Sequence, residues 1–231
     1  MNLLAVDTST VRSVVGIIVG KRRLENVAIA GRSHSRDILP TISSLVERSG
    51  IKLSDLDGIV FGKGPGSFTG LRITVGIVQG LGYGLSIPVV PVSSLAALAM
   101  GEYRRGGATN IVVALSAREE EIYFGCYEIE DDLPVLRDKE MVVDASKAPR
   151  PNHASADNTG SWAGVGDGFL FKEKIESSIG LTMDHINLEA YPQPGDLLDI
   201  GMARMSAGES IDAMDARPEY LREQVANVPA R

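Results

Sequence analysis

The order of strands and helices predicted in the first hundred residues constrains the fold most. Five short apolar runs are rich in β-branched residues and end at turn residues, which is typical of strands. They cover 3–6, 14–19, 24–30, 58–61 and 88–92. Helical spacing of apolar residues marks three further stretches, 37–49, 69–85 and 94–100, and Gly50 ends the first of them. The resulting order, βββαβαβα, predicts a mixed sheet that begins with three antiparallel strands.

Three antiparallel strands followed by helix-connected parallel strands resemble the ribonuclease H-like pattern of the sugar kinase, Hsp70 and actin superfamily (ASKHA). Beyond Gly106-Gly107 the pattern partly restarts, with strand-like runs at 111–115 and 121–129. We therefore predict an α/β protein with two ribonuclease H-like lobes. The first lobe covers 1–105, and a smaller, degraded second lobe covers 106–205. The C-terminal segment 206–231 is expected to pack back near the first lobe.

Composition and charge limit the classes of function. The 231 residues are 44% hydrophobic, yet no apolar run reaches the length of a membrane span. The start, MNLLAVDTST, lacks the basic region of a signal peptide, so we expect a cytoplasmic protein without membrane association. The single Cys126 excludes a disulfide framework and a zinc ribbon. The net charge of −7 argues against tight tRNA binding by the chain alone.

The stretch GKGPGSFTGLRITVG, residues 62–76, is rich in glycine. Glycine-rich turns before helices bind phosphate in many proteins, because free N–H groups and the helix dipole point at the anion. Lys63 precedes the glycines, which does not fit a Walker A loop, and Ser67 is not in a G-x-S-x-G elbow. We instead predict a sharp turn at Gly64-Pro65-Gly66 into a helix capped by Ser67 or Thr69.

Three segments together resemble the TsaB (YeaZ) family, which acts in biosynthesis of the tRNA modification threonylcarbamoyladenosine (t6A). They are LLAVDTST, GKGPGSFTGLRITVGIVQGLGYGLSIPVVPVSSLAAL and DARPEYLREQVAN. The resemblance implies a non-catalytic scaffold that forms a heterodimer with its paralogue TsaD, the protein that transfers the threonylcarbamoyl group to adenosine 37. The ATPase TsaE would join them. The expected partners are therefore TsaD, TsaE and, without TsaD, a second copy of this chain, with tRNA bound only through the complex.

An enzymatic role is the alternative: an ATP-binding ASKHA-type enzyme, either a kinase or a metalloprotease-like protein. A TsaD-like centre needs a His-x-x-x-His pair on one helix face to hold a metal. Aligned on PVVPVSSLAAL, those positions are Ser94 and Leu98, which are not useful ligands. The three histidines, His34, His153 and His185, are scattered along the chain. We therefore expect no catalytic residue, no metal and no intrinsic ATPase or protease activity.

Nucleotide binding depends on two loops of the superfamily. The first phosphate loop would follow strand one, and the second would lie at 115–118, where Ser116 replaces the aspartate usual in TsaB relatives. The candidate residues of a vestigial nucleotide site are Asp7, Thr8, Ser9, Gly166 and Gly168. We predict no cofactor, with weak ATP or ADP binding left open. The alternative for Asp7 and Thr8 is a hydrogen-bonded turn.

The helix predicted after the glycine-rich turn carries a stripe of small residues. Gly76, Gly80 and Gly84 follow one another at intervals of four. Because glycine inside a helix costs ~1 kcal/mol relative to alanine, we expect the stripe to allow another helix to approach closely. The predicted partner interface consists of Ile38, Ile42, Leu45, Gly76, Gly80 and Gly84. The alternative is that the neighbouring helix is only the first helix of the same chain.

Overall fold

The computed structural model describes residues 1–29, 34–154 and 160–221. Sheet 1 has the strand order β3-β2-β1-β4-β5, in which β2 is antiparallel to both of its neighbours and β1, β4 and β5 are parallel. Its strands are β1 Asn2–Asp7, β2 Arg12–Val19, β3 Arg22–Ile29, β4 Gly58–Gly64 and β5 Val89–Ser93. The helices of this half are α1 His34–Ser49, α2 Phe68–Leu85 and α3 Ser94–Gly106. The predicted order βββαβαβα is confirmed.

Sheet 2 repeats this topology, with the order β8-β7-β6-β9-β10 and the same strand directions. Its strands are β6 Asn110–Ser116, β7 Glu121–Glu130, β8 Leu133–Asp144, β9 Trp162–Val165 and β10 His185–Asn187. Helix α4 spans Lys172–Ile179, and α5 spans Pro194–Ser206. The second half therefore retains a complete sheet. Its shortened elements are β10, with three residues, and α4, with eight.

Helices α3 and α5 lie between the two sheets and share one apolar core with both of them. Helix α3 packs against β6, β7 and β8, whereas α5 packs against β1, β2 and β5. Gly201 lets α5 approach sheet 1 closely, because a β-carbon there would lie 2.3 Å from the side chain of Val60. Helix α5, which falls within the predicted second-lobe range 106–205, therefore packs on sheet 1.

Helices α1 and α2 cover the opposite face of sheet 1, over a second apolar core. Residues 211–221, here called the C-terminal strap, run beside α2. Ile211 pairs with Val89 at the edge of sheet 1, Ala213 and Ala216 are buried, and the N–H of Glu219 donates to the carbonyl of Lys63 at 2.8 Å. The remainder of the predicted C-terminal segment, 222–231, lies outside the described residues.

No helix in the described part of the chain combines the length and the apolar character needed to cross a membrane.

Candidate functional site

The turn that follows β1 is buried and tied to helix α2. The N–H of Thr8 donates to the hydroxyl of Thr74 at 3.0 Å, and the Thr8 hydroxyl donates to the carbonyl of Gly70 at 2.7 Å. Asp7, Thr8 and Ser9 are each at most 2% exposed. The N–H and the hydroxyl of Thr8, which a phosphate loop would present to a ligand, are therefore bonded within the chain.

Gly66 and Gly70 make this close packing sterically feasible. A β-carbon at Gly66 would lie 2.4 Å from the carbonyl oxygen of Ser9, and one at Gly70 would lie 1.8 Å from that of Thr8. Ser67 caps α2, because its hydroxyl accepts a hydrogen bond from the N–H of Gly70 at 3.3 Å. The glycine-rich stretch is thus a close-packed corner between β4 and α2, as the sequence predicts, and Ser67 is the cap.

Asp7 is the titratable group at the centre of this corner. Its Oδ1 accepts a hydrogen bond from the N–H of Ser9 at 2.5 Å, whereas its buried Oδ2 has no partner within the described residues. The carboxyl group lies against Gly62, where a β-carbon would come within 2.3 Å of Cγ. Burial raises the pKa of Asp7 to about 6, against a smaller opposing effect of the bonds with Ser9.

This burial predicts a pH-dependent stability. The ordinary pKa of aspartate is 3.8, so the folded chain binds the proton more tightly than the unfolded chain. The resulting stabilisation is complete below about pH 4 and is lost as the pH rises through 6. A difference of about 2 in pKa corresponds to ~3 kcal/mol. We expect Asp7→Asn to exceed the wild type in unfolding free energy by up to that amount at pH 7.5 and to match it near pH 4.

Urea unfolding of both proteins from pH 4 to 8 measures this difference directly. Asp196, whose pKa burial also raises to about 6, titrates in both proteins, so its contribution cancels in the comparison. A difference between wild type and variant that stays constant across this range would contradict the assignment to Asp7.

The corresponding loops of the second sheet are closed in a similar way. Gly166 and Gly168 pack on the end of β6, where β-carbons would lie 2.2 Å from the carbonyl oxygen and 2.8 Å from the carbonyl carbon of Ala114. The N–H of Ser116 donates to Oδ1 of Asp167 at 2.8 Å. A carboxylate from the β9 end of the sheet therefore occupies a backbone donor that a second phosphate loop would offer.

A cleft of about 760 Å³ separates these two sets of loops. Asp167 and Glu189 line it, and their negative charge opposes the binding of a phosphate group. The guanidinium of Arg12, in the same wall, stacks 4.0 Å from the ring centroid of Tyr191. The cleft thus brings Ser9 near the loop of Asp167, but its charges do not favour a nucleotide.

The apolar residues predicted on the partner-facing side of α1 are in the interior. Ile38, Ile42 and Leu45 are at most 2% exposed and belong to the core beneath sheet 1. Their assignment to a partner interface is therefore wrong: one apolar stripe on α1 is what the chain needs to cover its own sheet. Leu39, which is 51% exposed, lies on the outward side instead.

The predicted glycine stripe lies on the exposed side of α2. A β-carbon at Gly76, Gly80 or Gly84 would have no neighbouring atom within 4 Å among the described residues, whereas one at Gly82 would lie 2.6 Å from Ala213. Tyr83, beside the stripe, is 71% exposed. No described side chain of α1 therefore packs on this stripe, which contradicts the alternative interpretation from the sequence.

Metal ligands do not cluster in the part of the chain that the structure describes, which contains no group of three or more histidine, cysteine and carboxylate side chains suited to an ion. Cys126 is buried, which raises the pKa of its thiol far above the ordinary range. The thiol of Cys126 is therefore a poor nucleophile.

Two sheets with the same strand order, joined by shared helices around a cleft, define a two-lobed ribonuclease H-like protein of the ASKHA type. The family model for TsaD, tRNA N6-adenosine threonylcarbamoyltransferase, matches residues 27–139. The chain is 32% identical to the tRNA threonylcarbamoyladenosine biosynthesis protein TsaB of Escherichia coli over 98% of this chain and 96% of that protein. It therefore belongs to the TsaB family.

Other relatives agree with this assignment. TsaB of Haemophilus influenzae is 31% identical over 97% of this chain and 95% of that protein. The structure of YeaZ from Pseudomonas aeruginosa is 35% identical, covers 95% of this chain and 99% of that chain, and superposes with a TM-score of 0.87. A second Pseudomonas aeruginosa structure, described as similar to peptidase YeaZ, is 36% identical and covers 96% of this chain and 99% of that chain, with a TM-score of 0.89.

Proposed function

We propose that the chain is a non-catalytic scaffold subunit required for forming t6A at adenosine 37 of tRNA. Its membership in the TsaB family supports this role. The observation that carries the proposal is the open stripe of Gly76, Gly80 and Gly84. Three glycines on an exposed helix face cost ~3 kcal/mol of helix propensity, and association with a partner through this face would explain that cost.

TsaD is the proposed partner at this stripe. The TsaD family model matches residues 27–139, a range that contains both α1 and α2, so TsaD is expected to present a similar helix pair. Two such pairs form a four-helix packing, in which glycine lets the helix backbones approach. The same face would form a homodimer when TsaD is absent. TsaE then joins the heterodimer, and tRNA reaches this acidic chain only through the complex.

Sedimentation velocity of the chain mixed with purified TsaD tests the proposal. We expect a one-to-one heterodimer that replaces the homodimer of the chain alone. Persistence of the separate species at concentrations well above those in cells would contradict it.

An ATP-dependent enzyme is the second candidate. The observation that favours it is that Oδ2 of Asp7 has no partner in the described part of the chain. In this superfamily an aspartate after the first strand positions a metal or the attacking water. The neighbouring donors are already used, however: Thr8 bonds to α2, and the N–H of Ser116 bonds to Asp167. A nucleotide would have to break these contacts before it could bind.

We therefore expect the isolated chain to bind ATP no more tightly than about 1 mM, which corresponds to ~−4 kcal/mol. Isothermal titration calorimetry with ATP and Mg²⁺ measures this affinity. Micromolar binding, or ATP turnover that Asp7→Ala abolishes, would favour the enzymatic alternative.

A further inference from the structure

Two large side chains continue the glycine stripe toward the start of α2. Phe68, Arg72, Gly76, Gly80 and Gly84 follow one another at intervals of four, so that each is a surface neighbour of the next. All five are exposed. The stripe therefore has a bulky end formed by Phe68 and Arg72 and a bare end formed by the glycines.

The bulky end is preorganised by the C-terminal strap. The guanidinium carbon of Arg72 lies 3.7 Å from the ring centroid of Phe68, and its Nε donates to the hydroxyl of Tyr220 at 3.3 Å. The rings of Phe68 and Tyr220 are 5.7 Å apart between centroids. Glu219 holds the strap in place, since its carboxylate pairs with Lys63 at 2.6 Å. Helix α2 and the C-terminal strap, which are distant in sequence, thus build one cluster, here called the Arg72 cluster: Phe68, Arg72 and Tyr220.

The cluster has the properties of an anchoring point for a protein partner. Phe68 and Tyr220 remain 47% and 42% exposed, and Arg72 pairs with no carboxylate within the described residues. Arginine and tyrosine are enriched among the side chains that dominate binding energies. A guanidinium already held by a ring and a hydroxyl loses less conformational entropy on binding than a free one.

The glycines alone cannot supply the affinity of the interface. They allow close approach of the helix backbones, but they have no side chain with which to bury apolar area or pair a charge. The binding energy and the choice of partner must then come from the side chains that flank them. The Arg72 cluster is directly continuous with the stripe, whereas Leu170, which is 71% exposed, lies in the segment that follows β9 of sheet 2.

We propose that the Arg72 cluster anchors TsaD by pairing Arg72 with a carboxylate on the partner's helix pair. This inference rests on the proposed function and specifies the chemistry of the same surface. Arg72 supplies the charge, Phe68 and Tyr220 exclude water around the pair, and Tyr220 positions the guanidinium through its hydroxyl. Charge complementarity of this kind contributes specificity, which the bare glycine face lacks.

The test is calorimetric titration of TsaD into the full-length chain and its variants, each checked by circular dichroism and melting. Arg72→Ala is expected to weaken TsaD binding by at least ~30-fold, and Tyr220→Phe by ~3- to 10-fold. Arg72→Lys, which keeps the charge but loses the stacked plane, should fall between wild type and Arg72→Ala. Raising the salt concentration should weaken the wild-type complex markedly and the Arg72→Ala complex little.

Matched controls are Arg22→Ala, an exposed arginine on β3 at the far edge of sheet 1, and Leu170→Ser. Both should bind TsaD like the wild type. If Gly80→Arg abolishes binding but Arg72→Ala does not weaken it, the cluster lies outside the interface and the inference is wrong. If Arg72→Ala abolishes self-association but leaves TsaD binding unchanged, the cluster binds a second copy of this chain. The inference is then wrong too. A Gly80→Arg variant that still binds TsaD would instead overturn the proposed function.

Discussion

We expect Gly80→Arg to leave a folded monomer that neither self-associates nor binds TsaD. This is the largest functional effect that we expect of a single substitution. In the part of the free chain that the structure describes, a side chain at Gly80 would meet no atom within 4 Å of its β-carbon. Arginine is also the better helix former by ~1 kcal/mol, so the melting temperature should be equal or higher. In a packed helix interface the same side chain would clash and bury an unpaired charge. This would cost several kcal/mol, which corresponds to a loss of affinity of more than about 100-fold.

Gly80→Ala is the matched control, because it restores helix propensity with only a methyl group. It should be at least as stable as the wild type and lose much less affinity than Gly80→Arg. Circular dichroism, sedimentation and pull-down with TsaD measure the three properties. A Gly80→Arg chain that dimerises and captures TsaD normally would mean that the stripe is not the interface.

Gly70→Ala is expected to have the largest effect on stability. The added β-carbon would lie 1.8 Å from the carbonyl oxygen of Thr8, and backbone on both sides of the contact leaves no flexible side chain to move away. The Thr8 hydroxyl would also lose its bond to the Gly70 carbonyl if the two segments separated. We expect a loss of at least ~3 kcal/mol in unfolding free energy, or a failure to accumulate as folded protein.

Gly76→Ala, in the same helix, is the control for this prediction. Its β-carbon would point into open space, so the gain in helix propensity should stabilise the chain by up to ~1 kcal/mol. Urea unfolding compares the two variants with the wild type. Equal effects at the two positions would show that helix propensity, and not the contact with Thr8, determines the cost.

The order of elements in the first half was predictable because each strand and helix shows its own period in the sequence. Sheet 2 was only partly predictable. Strand β8, with the sequence LPVLRDKEMVVD, carries charged residues in its middle and does not show a clear apolar run. Strand β10 has three residues, too few for any period. The place of α5 on sheet 1 depends on packing between distant segments, which no local pattern records.

The proposed interface was half predictable for a similar reason. The stripe of glycines was visible in the sequence, because glycine inside a helix has a known cost and needs an explanation. The prediction for α1 failed because it used one apolar stripe twice, once for the sheet and once for a partner. Ile38 and its neighbours face the core. Leu39 faces outward, but nothing in the apolar pattern of the sequence distinguishes it from them.

Residues far apart in the sequence form the parts of the site that were not foreseen. Ser116 was noted for its missing carboxylate, yet Asp167 supplies one to its N–H from 51 residues away. Arg72 and Phe68 could have been found as the continuation of the glycine stripe at intervals of four. Tyr220 could not, since its position depends on how the strap packs beside α2.

Reconstituted modification of adenosine 37, with purified TsaD, TsaE, tRNA and an activated threonylcarbamoyl donor, tests the central claim most directly. The account predicts that t6A forms only when this chain is added, that Gly80→Arg fails to support it, and that Asp7→Asn supports it like the wild type. The opposite pattern, full activity with Gly80→Arg and none with Asp7→Asn, would contradict the account, because it would place the chemistry in the cleft of this chain and not in its partner.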